Sequence, residues 1–362
     1  MIQFFKDIYY GFKNAKPGKK VLYTSLVLLY LILIALVTIQ VNVEAVTPGS
    51  ISHSIATKEQ ENSNLSVYID TANTPGEVYT VGVFSHKRIS LYQYLIGKLN
   101  NDIEFEDYDP KTDLSKQEDQ QIGKKSKDLS IINALIVAYK AAKLEDDSIK
   151  IEYDYEGVLV ALVVDETKTD LRPDDVITHI DGEELTSIEH FRTLVSNKSY
   201  DKNFVFTILR NDKTMQINTL RYFDDASESY VFGITIMDSY KINKEATFPS
   251  FEIHENYSSI GGSGGAMLTL GIYNSLNEGD ITNGKRIIGT GTIALDGTVG
   301  VIAGVSQKIV TAKLYNADVF FCAAANYEEA KQKAEEINAE FEVVRVEKFS
   351  DILDYLKGEV NE

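Results

Sequence analysis

Between Val21 and Val43 the chain carries no charged residue, and Leu, Val and Ile dominate the run. At 1.5 Å rise per residue, a helix of that length crosses the roughly 30 Å hydrocarbon core of a bilayer. A secretory leader has an apolar stretch of only about 7–15 residues and a small-residue cleavage site. Here the run is longer and Val43-Glu44-Ala45 is a poor cleavage match, so a retained signal anchor is expected, with a buried core helix as the alternative. Lys6, Lys13, Lys16, Lys19 and Lys20 precede the run against a single Asp7. By the positive-inside rule residues 1–20 stay in the cytoplasm and everything after Glu44 lies outside. No later segment has this apolar length, so the expected anchor is single-pass, with membrane lipid as the partner of residues 21–43.

The whole chain is 44% apolar and 25% charged, a balance that excludes a wholly disordered protein. Its 362 residues are enough for two or three domains. The formal net charge of −18 argues against a nucleic-acid partner, because polyanions need concentrated Lys and Arg. Cys322 is the single cysteine, so neither an intramolecular disulfide nor a cysteine-based metal site can form. Its setting, Val319-Phe320-Phe321-Cys322-Ala323, predicts a small buried residue in a strand.

Residues 44–64 are polar and read as a tether or an irregular entry to the first strand. Ser66–Asp70 and Val78–Phe84 read as strands around the turn signal Asn73-Thr74-Pro75-Gly76, and Leu91–Leu99 as a short helix. A longer helix is expected over Leu129–Lys143, with Ile131, Leu135, Ala138 and Ala142 at helical spacing. Residues 150–222 form a unit of their own. Gly157–Val163 reads as a strand, Leu171-Arg172-Pro173-Asp174-Asp175-Val176-Ile177 leads to the turn Asp181-Gly182, and a helix spans Ser187–Val195. Phe204–Arg210 and Thr214–Leu220 make a hairpin around Asn211-Asp212. This unit resembles a PDZ domain of the kind attached to bacterial envelope proteases, with Asp174 where that family usually has Gly. The resemblance implies a peptide-binding strand edge at Gly157, Val158 and Leu159, to which a peptide adds as a further strand. A PDZ fold kept as a rigid spacer is the alternative.

The last third carries the chemistry. Ile260-Gly261-Gly262-Ser263-Gly264-Gly265-Ala266-Met267 sets a serine among glycines just before an apolar helix, Ala266–Leu276. There a hydroxyl projects from a tight turn, and the helix's free N–H groups and positive dipole end can stabilise an oxyanion. A plain glycine turn with Ser263 as helix N-cap is the alternative. The letters also fit the Gly-x-Ser-x-Gly elbow of α/β-hydrolases, whose histidine must follow the serine. His53, His86, His179, His190 and His254 all precede Ser263, which excludes that family and leaves His254 as the only nearby histidine base. No Gly-x4-Gly-Lys-[Ser/Thr] loop occurs, so no nucleotide-binding module is expected. A lysine whose pKa is lowered by burial can replace histidine as base. In Gly304-Val305-Ser306-Gln307-Lys308-Ile309-Val310, Ser306 reads as an N-cap and Lys308 projects beside the Val305/Ile309 stripe, whereas Lys313 lies on its polar margin. By geometry alone, a solvated Lys308 stays the competing reading.

Gly262-Ser263-Gly264-Gly265, then Gly289-Thr290-Gly291-Thr292-Ile293-Ala294-Leu295-Asp296-Gly297-Thr298-Val299-Gly300, then Ala303-Gly304-Val305-Ser306-Gln307-Lys308, together resemble the proteolytic domain of Lon-type peptidases. With anchor and PDZ unit, the chain is similar to the YlbL-like family of Gram-positive cell-envelope peptidases, which includes pheromone-processing members. The resemblance implies a Ser263–Lys308 dyad with Thr290 beside the lysine amine. Gly262 and Gly264 stand where the family usually has Pro and Ala, and loosen the turn. The implied fold is α+β: a Lon-type proteolytic domain with an inserted PDZ domain, preceded by one transmembrane helix. Its parts are a cytoplasmic 1–20, the anchor 21–43, a first peptidase part 45–149, the PDZ domain 150–222 and the catalytic part 223–358. The implied activity is ATP-independent serine endopeptidase action on exported peptides or proteins, a secreted signalling peptide among them, without metal, cofactor or nucleotide. A non-catalytic tethered binding module and an envelope scaffold are the alternatives. Protease added to intact, wall-stripped cells should degrade the exported part and spare residues 1–20; full protection of the C-terminal part would sink the exported reading.

Overall fold

The computed structural model describes residues 2–56, 67–71, 73, 76–225, 227–254 and 259–358. The chain opens with helices α1 (Ile2–Lys13) and α2 (Pro17–Thr38), strands β1 (Gln40–His53), β2 (Val67–Ile69) and β3 (Val78–Ser90), helix α3 (Leu91–Gly97), strand β4 (Glu104–Asp107) and helix α4 (Lys116–Ala142). The middle runs β5 (Lys150–Val163), β6 (Val176–Ile180), β7 (Glu183–Glu184), α5 (Ile188–Ser196), β8 (Phe204–Arg210), β9 (Lys213–Thr219), β10 (Tyr222–Asp224), β11 (Ser229–Val231) and β12 (Ile234–Phe248). The last part holds β13 (Phe251–Ile253), α6 (Gly265–Leu276), β14 (Ile287–Gly289), β15 (Thr292–Ile293), β16 (Val299–Gly300), α7 (Val305–Leu314), β17 (Val319–Ala323), α8 (Tyr327–Glu336), β18 (Glu342–Val346) and α9 (Phe349–Lys357). This is a mixed α/β fold, divided into two units: Met1–Thr47 with Ser85–Asp113, and Pro48–Phe84 with Leu114–Glu362.

In the first unit, α2 starts at Pro17, a residue suited to the first helical turn because the missing amide hydrogen would have no partner there. The protein buries none of its residues, and among the described residues α2 is the one helix long and apolar enough to cross a membrane. The helix stops at Thr38, so the end of the uncharged run is not helical: Gln40–Val43 already belong to β1. The expected tether is also strand as far as His53. Its pattern explains this, since Val41, Val43 and Ala45 alternate onto one face and pack with Ile89. Residues 57–64, Ser66, and Thr74-Pro75 of the expected turn lie outside the described residues.

In the second unit β18, β17, β14, β3 and β1 lie side by side in that order, the last two through their parts within this unit. The pairs β18/β17, β17/β14 and β14/β3 are parallel. All five residues of Val319–Ala323 are buried, as a strand covered on both faces requires. Alternation assigns them: Val319, Phe321 and Ala323 pack with α4, α6 and α9, and Phe320 and Cys322 pack with α7 and α8. Helix α4 is longer than the expected 129–143 because a capping box of Ser115 and Glu118 starts it at Lys116.

The PDZ-like sheet has the order β12-β5-β6-β8-β9 and a core of its own around Val158, Ile177, Phe191, Phe204 and Phe206. It therefore runs past residue 222, because β12 pairs with β5 from Ile234 onward. Gly157 has φ +139°, and a Cβ there would sit 2.4 Å from the Ile177 carbonyl oxygen, so the strand passes only as glycine. Asp174 takes φ +74° without glycine's freedom, as Asp tolerates better than most residues. Asp175, fully buried, receives Arg210 Nε at 2.6 Å, Arg210 Nη2 at 2.7 Å and the Arg172 amide at 2.8 Å. Arg210→Met strands that carboxylate and should destabilise the chain by about 3–5 kcal/mol, seen as a lower urea midpoint.

Candidate active site

Helix α6 is buried on every side and composed almost wholly of apolar and small residues, so it is a core helix and its N-terminus is held rigidly. Its N-cap is Gly264, with no side-chain cap bond, and Ser263 precedes the cap with its hydroxyl free of that duty. The turn is fixed through its backbone. Gly261 N–H donates to Gly123 O at 2.8 Å, and Gly262 O accepts from Gly265 N at 3.1 Å and from Ser130 Oγ at 3.2 Å. Ser263 O accepts from Gly291 N at 2.7 Å and from Thr290 Oγ1 at 3.0 Å. The amides of Gly262, Ser263 and Gly264 donate to no group among the described residues, and the helix's positive end lies beside them.

Lys308 sits on α7, which starts after Gly304 in the left-handed region; Ser306, the expected N-cap, is inside the helix and donates to Glu329 at 2.8 Å. Apolar packing of Val305, Ile309 and Ala312 under the sheet carries Lys308 inward to 2% exposure. Its Nζ donates to Ser263 Oγ at 3.0 Å and to Thr290 Oγ1 at 2.9 Å. Burial pushes the amine's pKa down from 10.5 to about 8. Thr290, fully buried, follows the last residue of β14. Ser263, in the turn that leads into α6, and Lys308, on α7, thus come from opposite faces of the sheet and meet beyond the carboxyl end of β14. That is the edge where parallel sheets place their sites.

Gly262 and Gly264 have ordinary negative φ, so neither is demanded by backbone conformation. A Cβ at Gly264 would lie 3.0 Å from Thr80 Cγ2, and one at Gly262 would lie 3.3 Å from Ser126 O, so the neighbours leave little room for larger residues. His254 is not brought to the serine. It faces Glu252 at 3.7 Å and makes no hydrogen bond to Ser263. Cys322 is fully buried, its thiol pushed up to about 12 by burial, which makes it an inert packing residue.

The peptide-edge assignment needs correction. Gly157, Val158 and Leu159 lie on β5, a central strand: Val158 faces Asp238 on one side and Ile177 on the other, and Leu159 faces Met237 and Val176. Both neighbours are taken, so no peptide can add there. The outer position belongs to β12, whose other side pairs with no strand among the described residues. Beside it α5 is held by Ile188 N–H donating to Asp238 Oδ1 at 2.8 Å, and Leu194, Val195, Ile234 and Ile236 pack on the PDZ core. Phe232-Gly233-Ile234, beyond the expected PDZ boundary at 222, lead into β12, and Phe232 and Ile234 pack on the PDZ core.

Two family models match: the PDZ domain over residues 136–220 and the Lon protease (S16) C-terminal proteolytic domain over residues 244–357. Among solved structures, the chain is similar to the PDZ domain of an SdrC-like protein of Listeria monocytogenes. The two are 25% identical over 23% of this chain and 90% of that one, with a TM-score of 0.22. The corresponding domain from Listeria innocua is 24% identical over 22% and 92%, with a TM-score of 0.20. The solution structure of the second domain of a Listeria protein is 26% identical over 24% and 88%, with a TM-score of 0.21. No curated protein matches the chain. The Lon-type proteolytic domain, which contains Ser263, Thr290 and Lys308, supports a serine peptidase that also carries a PDZ domain.

Proposed function

We propose that this chain is an ATP-independent serine endopeptidase in which Ser263 is the nucleophile, Lys308 its base and Thr290 the group that orients the base. The carrying observation is the contact of Ser263 Oγ with an almost fully buried amine at 3.0 Å. With Lys308 neutral, one N–H donates to Thr290 Oγ1 and the lone pair faces Ser263 Oγ. The serine hydroxyl then donates its proton to the amine while Oγ attacks the scissile carbonyl. The free amides of the turn receive the oxyanion, and protonated Lys308 returns its proton to the leaving amine. Water repeats the sequence on the acyl-enzyme.

The lysine-flanked helix α2 supports an anchored enzyme with its catalytic part outside the cytoplasm, and so exported peptides or proteins as substrates. Likeness to the YlbL-like peptidases favours a secreted signalling peptide among them. The PDZ domain match supports capture of an extended segment of substrate, which a non-catalytic tethered module would share. Turnover separates the two readings.

Ser263→Ala and Lys308→Met should each abolish peptide hydrolysis, by about 10⁴-fold or more, and the double variant should be no worse than either. His254→Ala should keep most activity; an inactive His254→Ala beside an active Lys308→Met would overturn the mechanism. The base works only when neutral, so kcat/KM should climb with pH and level off above about 8. At pH 7 about a tenth of the amine is neutral on this value, which leaves about a tenfold rise to be measured. A rate that is flat from pH 6 to 9 would contradict a lysine base.

A further inference from the structure

Helix α4 is apolar where it enters the core, yet it buries two polar side chains one turn apart, Ser130 and Asn133. Each reaches across to a backbone carbonyl near the candidate site. Asn133 Nδ2 donates to Ile293 O at 2.9 Å, on the segment that follows Thr290, and Ser130 Oγ donates to Gly262 O at 3.2 Å. A serine inside a helix ordinarily turns its hydroxyl back to its own preceding turn. Here the bond goes outward, to a carbonyl that already accepts from Gly265 N at 3.1 Å. Satisfying that carbonyl therefore did not require the second donor.

What the second bond does follows from peptide planarity. The Gly262 carbonyl and the Ser263 N–H lie in one plane and point in opposite directions. Two donors on the carbonyl fix that plane, and the Ser263 amide is left aimed away from α4 with no partner among the described residues. The helix itself is anchored on its other side to the PDZ sheet, through Gln121 Nε2 donating to Ala161 O at 3.0 Å. We propose that Ser130 is a positioning residue: its hydroxyl locks the Gly262–Ser263 peptide plane so that the Ser263 amide meets the oxyanion of the transition state. The inference rests on Ser263 being the nucleophile, as proposed above. Among the described residues the Ser130 hydroxyl donates to the Gly262 carbonyl and not to Ser263 Oγ or Lys308 Nζ.

The test uses the full chain in detergent, an internally quenched peptide that it cleaves, and a peptide boronate that forms a tetrahedral adduct on the serine. Ser130→Ala removes one oxygen from a helix position that alanine favours, so the fold persists. It should lower kcat by about ten- to a hundredfold, less than or equal to the loss on removing an oxyanion donor outright. KM should stay within about twofold, the boronate should weaken by the same factor as kcat/KM, and product-peptide affinity should not move. The midpoint of the pH profile should stay at the wild-type value, since Lys308 is untouched. A wild-type kcat, or a loss shared equally by boronate and product peptide, would overturn the positioning role. If Ser263→Ala cleaves as fast as wild type, the nucleophile reading itself fails and this inference falls with it; an inactive Ser263→Ala beside a fully active Ser130→Ala removes only the latter.

Discussion

The site depends on taking one amine out of water. Lys308 is held at 2% exposure, and its hydrogen bonds go to two hydroxyls. A charged ammonium in such a place is costly, and the least expensive response is to lose its proton more readily. The shift is a statement about folding as well as chemistry. Because the folded-state pKa lies below the ordinary 10.5, the folded chain carries a penalty at every pH below about 8, and that penalty fades as the pH rises toward 10.5. The site thus holds a strained protonation equilibrium that the surrounding core maintains, the usual condition of groups that act as bases near neutrality.

What maintains it is the alternation of one strand. Along β17, odd-numbered side chains feed the core that seats α6, and even-numbered ones feed the core that seats α7. Each helix is locked independently, and the serine and the lysine are brought together only because both helices pack on the same sheet. Thr290, at the end of β14 between them, ties the two halves: it accepts from the lysine amine and donates to the serine carbonyl. Gly291 is part of the same device. Its φ of +151° is open to glycine, and its amide and carbonyl bond to Ser263 O and Ala266 N on either side of the turn.

The PDZ-like part is not an appendage on a flexible tether. Strand β12 starts as the outer strand of that sheet and ends among catalytic-core residues, with Ile236 packed on the PDZ core and Ile242 in the core that seats α6. Helix α4 runs alongside, with Ser126 Oγ 3.9 Å from Met237 Sδ on β12 and Ser130 Oγ on the Gly262 carbonyl of the turn before α6.

Local letters offered Ser263 and Lys308 as candidates beside the plainer readings of a glycine turn and a solvated lysine; Thr290, and the pairing of the three, came only from the order of motifs resembling a Lon-type proteolytic domain. The uncharged run from Val21 was legible, since length and absence of charge are one-dimensional properties. Where sequence misled, pairing or packing decided the matter. The run's last residues became β1 because alternating Val41, Val43 and Ala45 found a partner in Ile89. Gly157–Leu159 proved central because the second neighbour of β5 arrives from residues 234–243, far along the chain. Ser306 proved interior because Gly304, free to adopt φ +68°, starts α7 earlier. Above all, sequence names a lysine but not its solvent: Lys308 is a buried amine near pKa 8 because the fold takes it to 2% exposure, against the hydroxyls of Ser263 and Thr290. Residue types determined the chemistry available to this chain; burial, which only the tertiary structure supplies, decided that the Lys308 amine lies out of water beside Ser263 Oγ.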